Sequence, residues 1–429
     1  MNDTGTTDAA ARPAGTLAAG PAPAAEGSPA TDSPASGGHA LTVVHLFVVH
    51  GVVALGMGLV PALVTTFREE YGLSGGQIAN VQNLKDVGLI AAMFAGPVVL
   101  RRAGIARTTM LALLVGLAGC AVLIGVRSYP GVLTGAFLHG AAFSLGSLAT
   151  VSHLYRLPAR HHRISALYAT FSVGNFVAPF LVGVLVPGDG DYRAVYGVFT
   201  AALVVSAVAG ALLNRSRAGG GPGRADRAGT GGAREPGRAP EARLTAALVR
   251  TWLPHLVVYA TLMAAETVVV SWVTTLGRYR YGLSLSDASF LLALLWITYT
   301  PARLFGDALV RRTSVTTVLL SGVLLTVVGD VLLCAGPAGV ARVGVVVFAL
   351  GAAPLIPVYQ GWLLGRTPVE RHGPLNASLG VGAAALTTAM VWLTGIGVDV
   401  DTRVPFAVSA VCSAGLALWV LRDHRTKTS

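Results

Sequence analysis

Long apolar segments alternate with short polar loops over most of the chain. Each apolar run is about 20 residues long, the length at which an α-helix rising ~1.5 Å per residue crosses a bilayer. The pattern therefore predicts an all-α polytopic membrane protein of about twelve transmembrane helices. The predicted spans are 41–67, 77–100, 107–126, 129–154, 164–187, 192–214, 246–276, 285–310, 314–335, 340–365, 374–398 and 403–421.

Two polar segments divide the chain into domains. Residues 1–40 hold little apolar mass and predict a disordered tail, without the basic and apolar regions of a signal peptide. Residues 215–243 are rich in Gly, Pro and Arg and predict a flexible linker. The linker separates an N-terminal six-helix bundle at 41–214 from a C-terminal one at 244–421, and a short tail follows at 422–429.

Composition agrees with a membrane protein. The chain is 53% hydrophobic and 12% charged, whereas soluble domains carry roughly 25% charged residues. The pI near 10.1 arises from arginines in interhelical loops, which argues against nucleic-acid binding. With the N-terminus inside, the inner loops and tail carry 13 Arg and Lys, the linker seven more and the outer loops seven. This bias predicts an inner (plasma) membrane protein with both termini and the linker cytoplasmic.

An internal repeat links the two bundles. Five short segments recur in order at an offset of 210 or 211 residues, and an even number of helices separates the copies, which gives both halves the same membrane orientation. This predicts a pseudo-two-fold axis along the membrane normal, with a cavity between the halves. The repeated segments begin at Tyr71 and Tyr281, Arg101 and Arg311, His45 and His255, Asp189 and Asp399, and Phe137 and Phe348.

The loop after the second span carries a family resemblance. Gly96-Pro-Val-Val-Leu100-Arg-Arg-Ala-Gly-Ile-Ala-Arg107 keeps the glycines and basic residues of a major facilitator superfamily signature, with Leu100 at its acidic position. With the six-plus-six layout, residues 41–421 resemble that superfamily, and its twelve-helix drug/proton antiporter-like branch in particular. The resemblance implies a monomeric secondary transporter that moves a small-molecule substrate by alternating access, with protons as the coupling ion.

A set of conformational residues follows from the resemblance. Gly174-Asn-Phe-Val-Ala-Pro179 looks like the fifth-span motif of the family's exporters, although an ordinary proline kink is the alternative. Arg303 and Asp307, spaced i and i+4, are predicted to form a pair near the inner end of the eighth span. The predicted gating residues are Arg101, Arg102, Arg303, Asp307, Arg311, Arg312, Pro179 and Gly174.

Charges present in only one half are candidates for transport chemistry, because a charge at the bilayer centre costs at least about 2.5–3.5 kcal/mol. Glu266 stands where the other half has Gly56, and the family places its helix beside the cavity. It is the first candidate for proton coupling, and a buried protonated side chain is the alternative. Asp86 is the second candidate. Because neighbours on a helix diverge by about 100°, Lys85 and Asp86 are each predicted to have a separate partner, with a structural salt bridge between spans as the alternative.

Further polar residues are predicted to line the substrate cavity, although His139 also continues a row of small residues typical of helix packing. They are Lys85, His50, His139, Asn83, Tyr359 and Gln360. Asp330, near the outer end of the ninth span, is predicted to reach the membrane interface.

The cysteines lie far apart in apolar runs, and nucleophile, phosphate-loop and metal-ligand motifs are missing from the sequence. No cofactor and no enzymatic activity are therefore predicted. Proton-coupled export of a small organic compound is the leading hypothesis. Uptake of a small anionic solute by proton symport, which Lys85 would favour, is the alternative. A non-transporting membrane sensor or a membrane-embedded enzyme is a remote third.

Overall fold

The computed structural model describes residues 35–157, 164–186, 191–218, 246–368 and 371–428. The predicted tail at 1–40 and linker at 215–243 lie mostly outside these ranges. All long elements within them are helices. They are α1 (Ala35–Ala62), α2 (Val64–Tyr71), α3 (Gly75–Ala103), α4 (Ile105–Gly125), α5 (Tyr129–Leu154), α6 (Ile164–Leu185), α7 (Arg193–Ala218), α8 (Ala246–Thr275), α9 (Leu285–Arg312), α10 (Val315–Ala335), α11 (Ala338–Leu364), α12 (His372–Val398) and α13 (Val404–Thr428).

The helices confirm the polytopic membrane fold. Eleven of the described helices are long and apolar enough to cross a membrane, and α6 adds a shorter apolar stretch at Ala169–Leu185. The first predicted span is broken into α1 and α2 just after Pro61. Proline has no backbone N–H to donate to the helix. In the second half the helix runs unbroken through Ser271, the equivalent of Pro61, and widens into a π-helical turn further on, at Leu276–Arg280.

The repeated Tyr-Gly-Leu-Ser segments build the same turn in both halves. Gly72 and Gly282 adopt φ values of 60° and 62°, in the left-handed region that favours glycine. The following serines, Ser74 and Ser284, cap α3 and α9 by accepting backbone N–H bonds. The repeat thus specifies where the second helix of each half begins.

The tyrosines of the same segments fasten equivalent helices. The Tyr281 hydroxyl donates to the carbonyl oxygen of Leu333 at the end of α10. In the first half the corresponding hydrogen-bond connection passes through one additional residue. The Tyr71 hydroxyl lies 2.9 Å from the Tyr192 hydroxyl. Tyr192 in turn donates to the carbonyl of Leu123 at 3.1 Å, and Leu123 is the repeat equivalent of Leu333.

Two faces of the molecule can be defined from the helix order. The chain crosses the bundle an even number of times, so α1 begins and α13 ends on one face, which we call the terminal face. The opposite face, where α2 ends and α3 begins, is the distal face.

On the distal face the two halves are tied together by ion pairs. Arg68 lies 2.5 Å from Asp399 at the end of α12, and Asp399 also accepts the Gly75 N–H at 2.8 Å. Arg278, the repeat equivalent of Arg68, crosses the other way and lies 2.8 Å from Glu69. Each half therefore extends one arginine to the other.

On the terminal side a cleft of about 360 Å³ lies between α6 of the first half and α9 and α11 of the second. Deeper in the molecule, aromatic contacts between the two halves close this cleft toward the distal face. The ring centroids of Phe171 and Trp296 are 5.9 Å apart, and those of Phe180 and Phe290 are 6.0 Å apart. The halves are thus in contact distally and separated by a cleft at the terminal side.

Glycines set the close approach of α3 and α5 inside the first bundle. A Cβ atom on Gly140 would lie 1.8 Å from the Lys85 carbonyl oxygen, and one on Gly88 would lie 2.0 Å from that of Phe137. Small residues that let two backbones meet are the usual means of packing membrane helices. The seam fixes the position of the α3 segment that carries Lys85.

Replacing Gly140 by alanine should destabilise the N-terminal bundle by about 1–3 kcal/mol or more, because backbone atoms of α3 would have to move. The measurement is the thermal unfolding midpoint of the purified protein. Gly361→Ala is the matched control, since nothing lies within 4 Å of a Cβ atom at that helical position. An equal midpoint for both variants would contradict the close approach.

Candidate functional site

A pair of opposite charges lies beside the cleft. Arg303 Nη2 on α9 is 3.3 Å from Glu266 Oε1 on α8, and the two side chains are 27% and 11% exposed. Arg303 lines the cleft, and its guanidinium packs over the Tyr299 ring at 4.6 Å from the centroid. The pair therefore joins the cleft to the interior of the C-terminal bundle.

The pair is incompletely satisfied. Glu266 Oε2 and Arg303 Nε are buried without hydrogen-bond partners among the described residues. In a low-dielectric interior the attraction between the two charges offsets much of their desolvation, but breaking such a pair leaves an expensive isolated charge. Protonation of Glu266 is the simplest chemical change that would release Arg303.

Arg303 has a partner on another helix, because its guanidinium reaches Glu266 on α8. The long arginine stem allows the charge to reach a carboxylate on a neighbouring helix. The Asp307 side chain lies outside the described residues, so its pairing with Arg303 stays a prediction.

The prediction that Lys85 and Asp86 have separate partners is wrong. Lys85 Nζ lies 3.4 Å from Asp86 Oδ1, and the two side chains are 9% and 20% exposed. The Cα–Cβ directions of adjacent helical residues do diverge, but the four-carbon lysine stem is long enough to fold back across that angle. The two charges form a local pair on α3.

Asn83, one turn from that pair, lies where the halves meet. Its side-chain amide donates to the Thr388 carbonyl on α12 at 3.1 Å. The polar face of α3 is therefore at the α3–α12 contact, away from the α6–α9–α11 cleft.

The predicted histidines lie inside the N-terminal bundle. His50 is fully buried on α1, with Nδ1 3.3 Å from the Thr150 hydroxyl. His139 on α5 has Nε2 3.8 Å from Cys120 Sγ and stacks on Tyr196 at 5.5 Å. These contacts agree with the packing alternative for His139.

The two predicted cavity residues on α11 lie in different places. The buried Tyr359 hydroxyl lies 2.9 Å from His255 Nδ1, within the C-terminal bundle. Gln360, the next residue, lines the cleft near Arg303. The structure thus brings Gln360 and Arg303 to the same cleft and places Glu266 directly behind them.

The predicted gating residues occupy two kinds of position. Arg101 and Arg102 end α3 and Arg311 and Arg312 end α9, all exposed on the terminal face. Gly174 lies against α1, and a Cβ atom there would come within 2.5 Å of the Gly51 carbonyl oxygen. Five residues further on, α6 continues through Pro179.

Sequence reasoning missed most of the cleft lining. Phe171 and Ser172 on α6, Thr300 on α9 and Pro357 on α11 lie along it. These residue types are common in any membrane helix and carry no charge, so only the relative placement of the helices identifies them.

Asp330 is a second correction. It was predicted to reach the membrane interface, yet its side chain is 0% exposed. Its helix, α10, packs between α11 and α13, so the position near the helix end does not bring the side chain to the surface.

The sequence matches the family profile of the Major Facilitator Superfamily over residues 46–329. The fold and this match define a multi-pass membrane transporter of the secondary type. The chain belongs to the Major Facilitator Superfamily. No curated protein matches the sequence.

Solved transporter structures share the fold. A peptide transporter POT in complex with sulfate is 15% identical, with a TM-score of 0.71 over 90% of this chain and 94% of that one. The nucleoside transporter NupG is 12% identical, with a TM-score of 0.67 over 89% and 98%. The xylose transporter XylE from E. coli, in an inward open conformation, is 12% identical, with a TM-score of 0.65 over 88% and 95%. At these identities the likeness shows the fold alone.

The charge pair can be tested by a double-mutant cycle. Glu266→Gln and Arg303→Gln should each destabilise the protein, and the double variant should be less destabilised than the sum of the two. A coupling energy of about 0.5–3 kcal/mol is expected for residues in direct contact. The measurement is thermal or denaturant unfolding in detergent.

The same cycle on Glu69 and Arg278, paired at 2.8 Å on the distal face with side chains 39% and 37% exposed, provides a comparison. It should give a smaller coupling energy, because water competes for exposed ion pairs. Strict additivity at Glu266 and Arg303 would show that the two side chains do not interact.

Proposed function

We propose that the chain is a proton-coupled secondary transporter that works by alternating access, with Glu266 as its proton site. The observation that carries the proposal is the buried pair of Glu266 and Arg303 beside the cleft. A carboxylate that is paired with a cation in one arrangement and hydrated in another changes its affinity for protons when access switches sides. Proton binding and conformation are then coupled at one residue.

The substrate site in this proposal is the cleft. Its volume of about 360 Å³ falls in the range of small-molecule pockets. The charged Glu266 carboxylate holds Arg303 at the surface of the cleft. When Glu266 takes up a proton, this attraction falls and Arg303 leaves that position, so protonation and substrate binding oppose each other, as antiport requires. Gln360 supplies a further polar contact on the same surface.

Export of a small organic compound is the direction we propose. The Gly174–Pro179 segment resembles the fifth-span motif of exporters, and the close contact of Gly174 with α1 supports its role in packing that helix pair. The cleft also mixes apolar side chains, such as Phe171, Leu304 and Ile356, with a few polar ones. Such a lining suits an organic compound better than a strongly hydrated ion.

Symport of a small anionic solute is the second candidate. Arg303 lines the cleft and is a donor suited to carboxylate or phosphate groups. If Glu266 must be protonated before Arg303 binds the anion, proton and anion enter together. The buried Lys85 also favours an anion, although its pairing with Asp86 neutralises part of its charge. Asp86 is kept as the second candidate for the coupling residue.

We further propose that the terminal face is cytoplasmic and that the protein lies as a monomer in the inner (plasma) membrane. The support is the excess of Arg and Lys on the loops of that face, where Arg101, Arg102, Arg311 and Arg312 are exposed. A small-molecule substrate, protons and the lipid bilayer are the partners in this proposal. Nucleic acid is not among them.

Coupling can be tested in proteoliposomes. A substrate is first selected by its thermal stabilisation of the purified protein, because a ligand stabilises the state that it binds. Wild type should then drive substrate against its gradient when a pH gradient is imposed. Glu266→Gln should lose this gradient-driven accumulation and keep substrate exchange at equal pH. Glu70→Gln, an acid on the distal side, is the control and should behave as wild type.

The same assay decides the direction. For an exporter, substrate and proton move in opposite directions, so acidifying the side that receives substrate accelerates transport. For an anion symporter, acidifying the side that supplies substrate does so. Full gradient-driven transport by Glu266→Gln would remove Glu266 from the coupling mechanism.

Orientation can be tested with reporter fusions. A fluorescent protein that folds only in the cytoplasm should be bright when fused after Ser429, and a phosphatase that folds only outside should be inactive there. Inserted after Arg127, between α4 and α5, the two reporters should give the opposite result. The inverse pattern would place the terminal face outside the cell.

A further inference from the structure

The C-terminal bundle contains a second buried carboxyl group that the transport mechanism above leaves unused. Asp330 on α10 is fully buried, and neither of its oxygens has a hydrogen-bond partner among the described residues. Glu266 has Arg303 as a counter-charge, whereas the ion pairs seen in the described part of the chain do not include Asp330.

An unpaired carboxylate in such a position is unfavourable, since burying an isolated charge costs several kcal/mol. In the arrangement seen here Asp330 is therefore favoured as the neutral acid, and it can give up its proton only in a conformation that hydrates or otherwise compensates the carboxylate. The Ser409 hydroxyl on α13 faces it. The repeat equivalent of Asp330 in the first half is Cys120, so the fold itself does not require an acid at this place.

Several hydroxyl groups lie in the region between this acid and Glu266. A small cavity of about 10 Å³ is lined by Glu266, Thr326 and Ser413, close to the minimum for one water molecule. Thr326 lies one helical turn before Asp330 on α10. On α13, Ser413 lies one turn after Ser409, whose hydroxyl donates to the carbonyl of Ala265 next to Glu266, at 3.4 Å.

We propose that Asp330 is a second proton-binding site, which exchanges its proton with Glu266 through Thr326, Ser409, Ser413 and a water molecule in the cavity. In this step the Asp330 acid gives up one proton, each intervening hydroxyl accepts one and passes one on, and the Glu266 carboxylate becomes the acid. The reverse transfer restores Asp330. The inference rests on the proposed role of Glu266 as the proton site facing the cleft.

Other titratable groups near Asp330 are few. Cys334 lies one turn along on α10, Cys412 faces Asp330 from α13, and Arg403 with Asp401 lies further out, near Cys334 at the distal end. Glu266 on α8 is the carboxyl group across the cavity. A signal from a protonated carboxylic acid in this bundle can therefore be assigned by substituting Asp330 and Glu266 in turn.

The test is infrared difference spectroscopy of the full-length protein in lipid, recorded through steps of pH. Wild type should show the carbonyl stretch of a water-excluded carboxylic acid, and Asp330→Asn should lose that band. Asp287→Asn, which removes an exposed acid at the start of α9, should keep it. If Asp330→Asn fails to fold, Asp330→Cys copies the residue of the first half and should lose the same band. An Asp330 variant with an unchanged spectrum overturns the proposal.

The connection to Glu266 is tested by transferring the protein to heavy water and following the shift of the Asp330 band. Exchange should slow several-fold in Ser413→Ala and in Glu266→Gln. It should be unchanged in Ser321→Ala, which removes an exposed hydroxyl from the same helix as Asp330. Equal exchange rates in all of these proteins overturn the pathway, and a band displaced by sodium ions at constant pH overturns the proton as the ligand.

The two proposals fail differently. Loss of gradient-driven transport in Glu266→Gln together with an unchanged Asp330→Asn spectrum retains the proposed function and rejects the second proton site. Unchanged transport in Glu266→Gln rejects Glu266 as the coupling residue, and with it the exchange pathway to Asp330.

Discussion

The membrane interior offers no water to hydrogen-bond the backbone, and the rest of the structure depends on this constraint. Each crossing must complete its hydrogen bonds within the segment, which leaves the helix as the available element. The hydrophobic effect does not determine how apolar helices pack against one another in a membrane. Their packing is determined by close contact between backbones. Gly140 against the Lys85 carbonyl, Gly88 against Phe137, and Gly174 against Gly51 are three such contacts.

Against that apolar background, each buried polar group has a large effect on its surroundings. Glu266 is tolerated beside Arg303, and Asp86 beside Lys85. The first pair is placed between the cleft and the bundle interior, where solvent access can change, while the second is held next to the contact of α3 with α12. This difference in placement, more than a difference in chemistry, is why we propose Glu266 ahead of Asp86 as the proton site.

The fold could be predicted from sequence because its signals are long or repeated. A run of about 20 apolar residues has few interpretations, and the Tyr-Gly-Leu-Ser repeat marks equivalent turns, as the positive φ values of Gly72 and Gly282 show. The site was only partly predictable. Glu266 became a candidate because its counterpart is glycine. Its contact with Arg303 was not predicted, since spacing along one helix says nothing about the neighbouring helix. The contact of Lys85 with Asp86 was missed because the reach of the lysine stem was underestimated.

The crossed arginines of the distal face have a mechanical consequence. Arg68 and Arg278 are equivalent residues that each bind a partner in the opposite half, so moving the halves apart on that face stretches both bridges in one motion. Each bridge is partly hydrated and worth little, about 0–1 kcal/mol for a typical exposed pair. Breaking both bridges therefore adds little to the free energy needed to separate the two halves on the distal face. A closure made this way is weak and reversible, as the proposed alternating-access cycle requires.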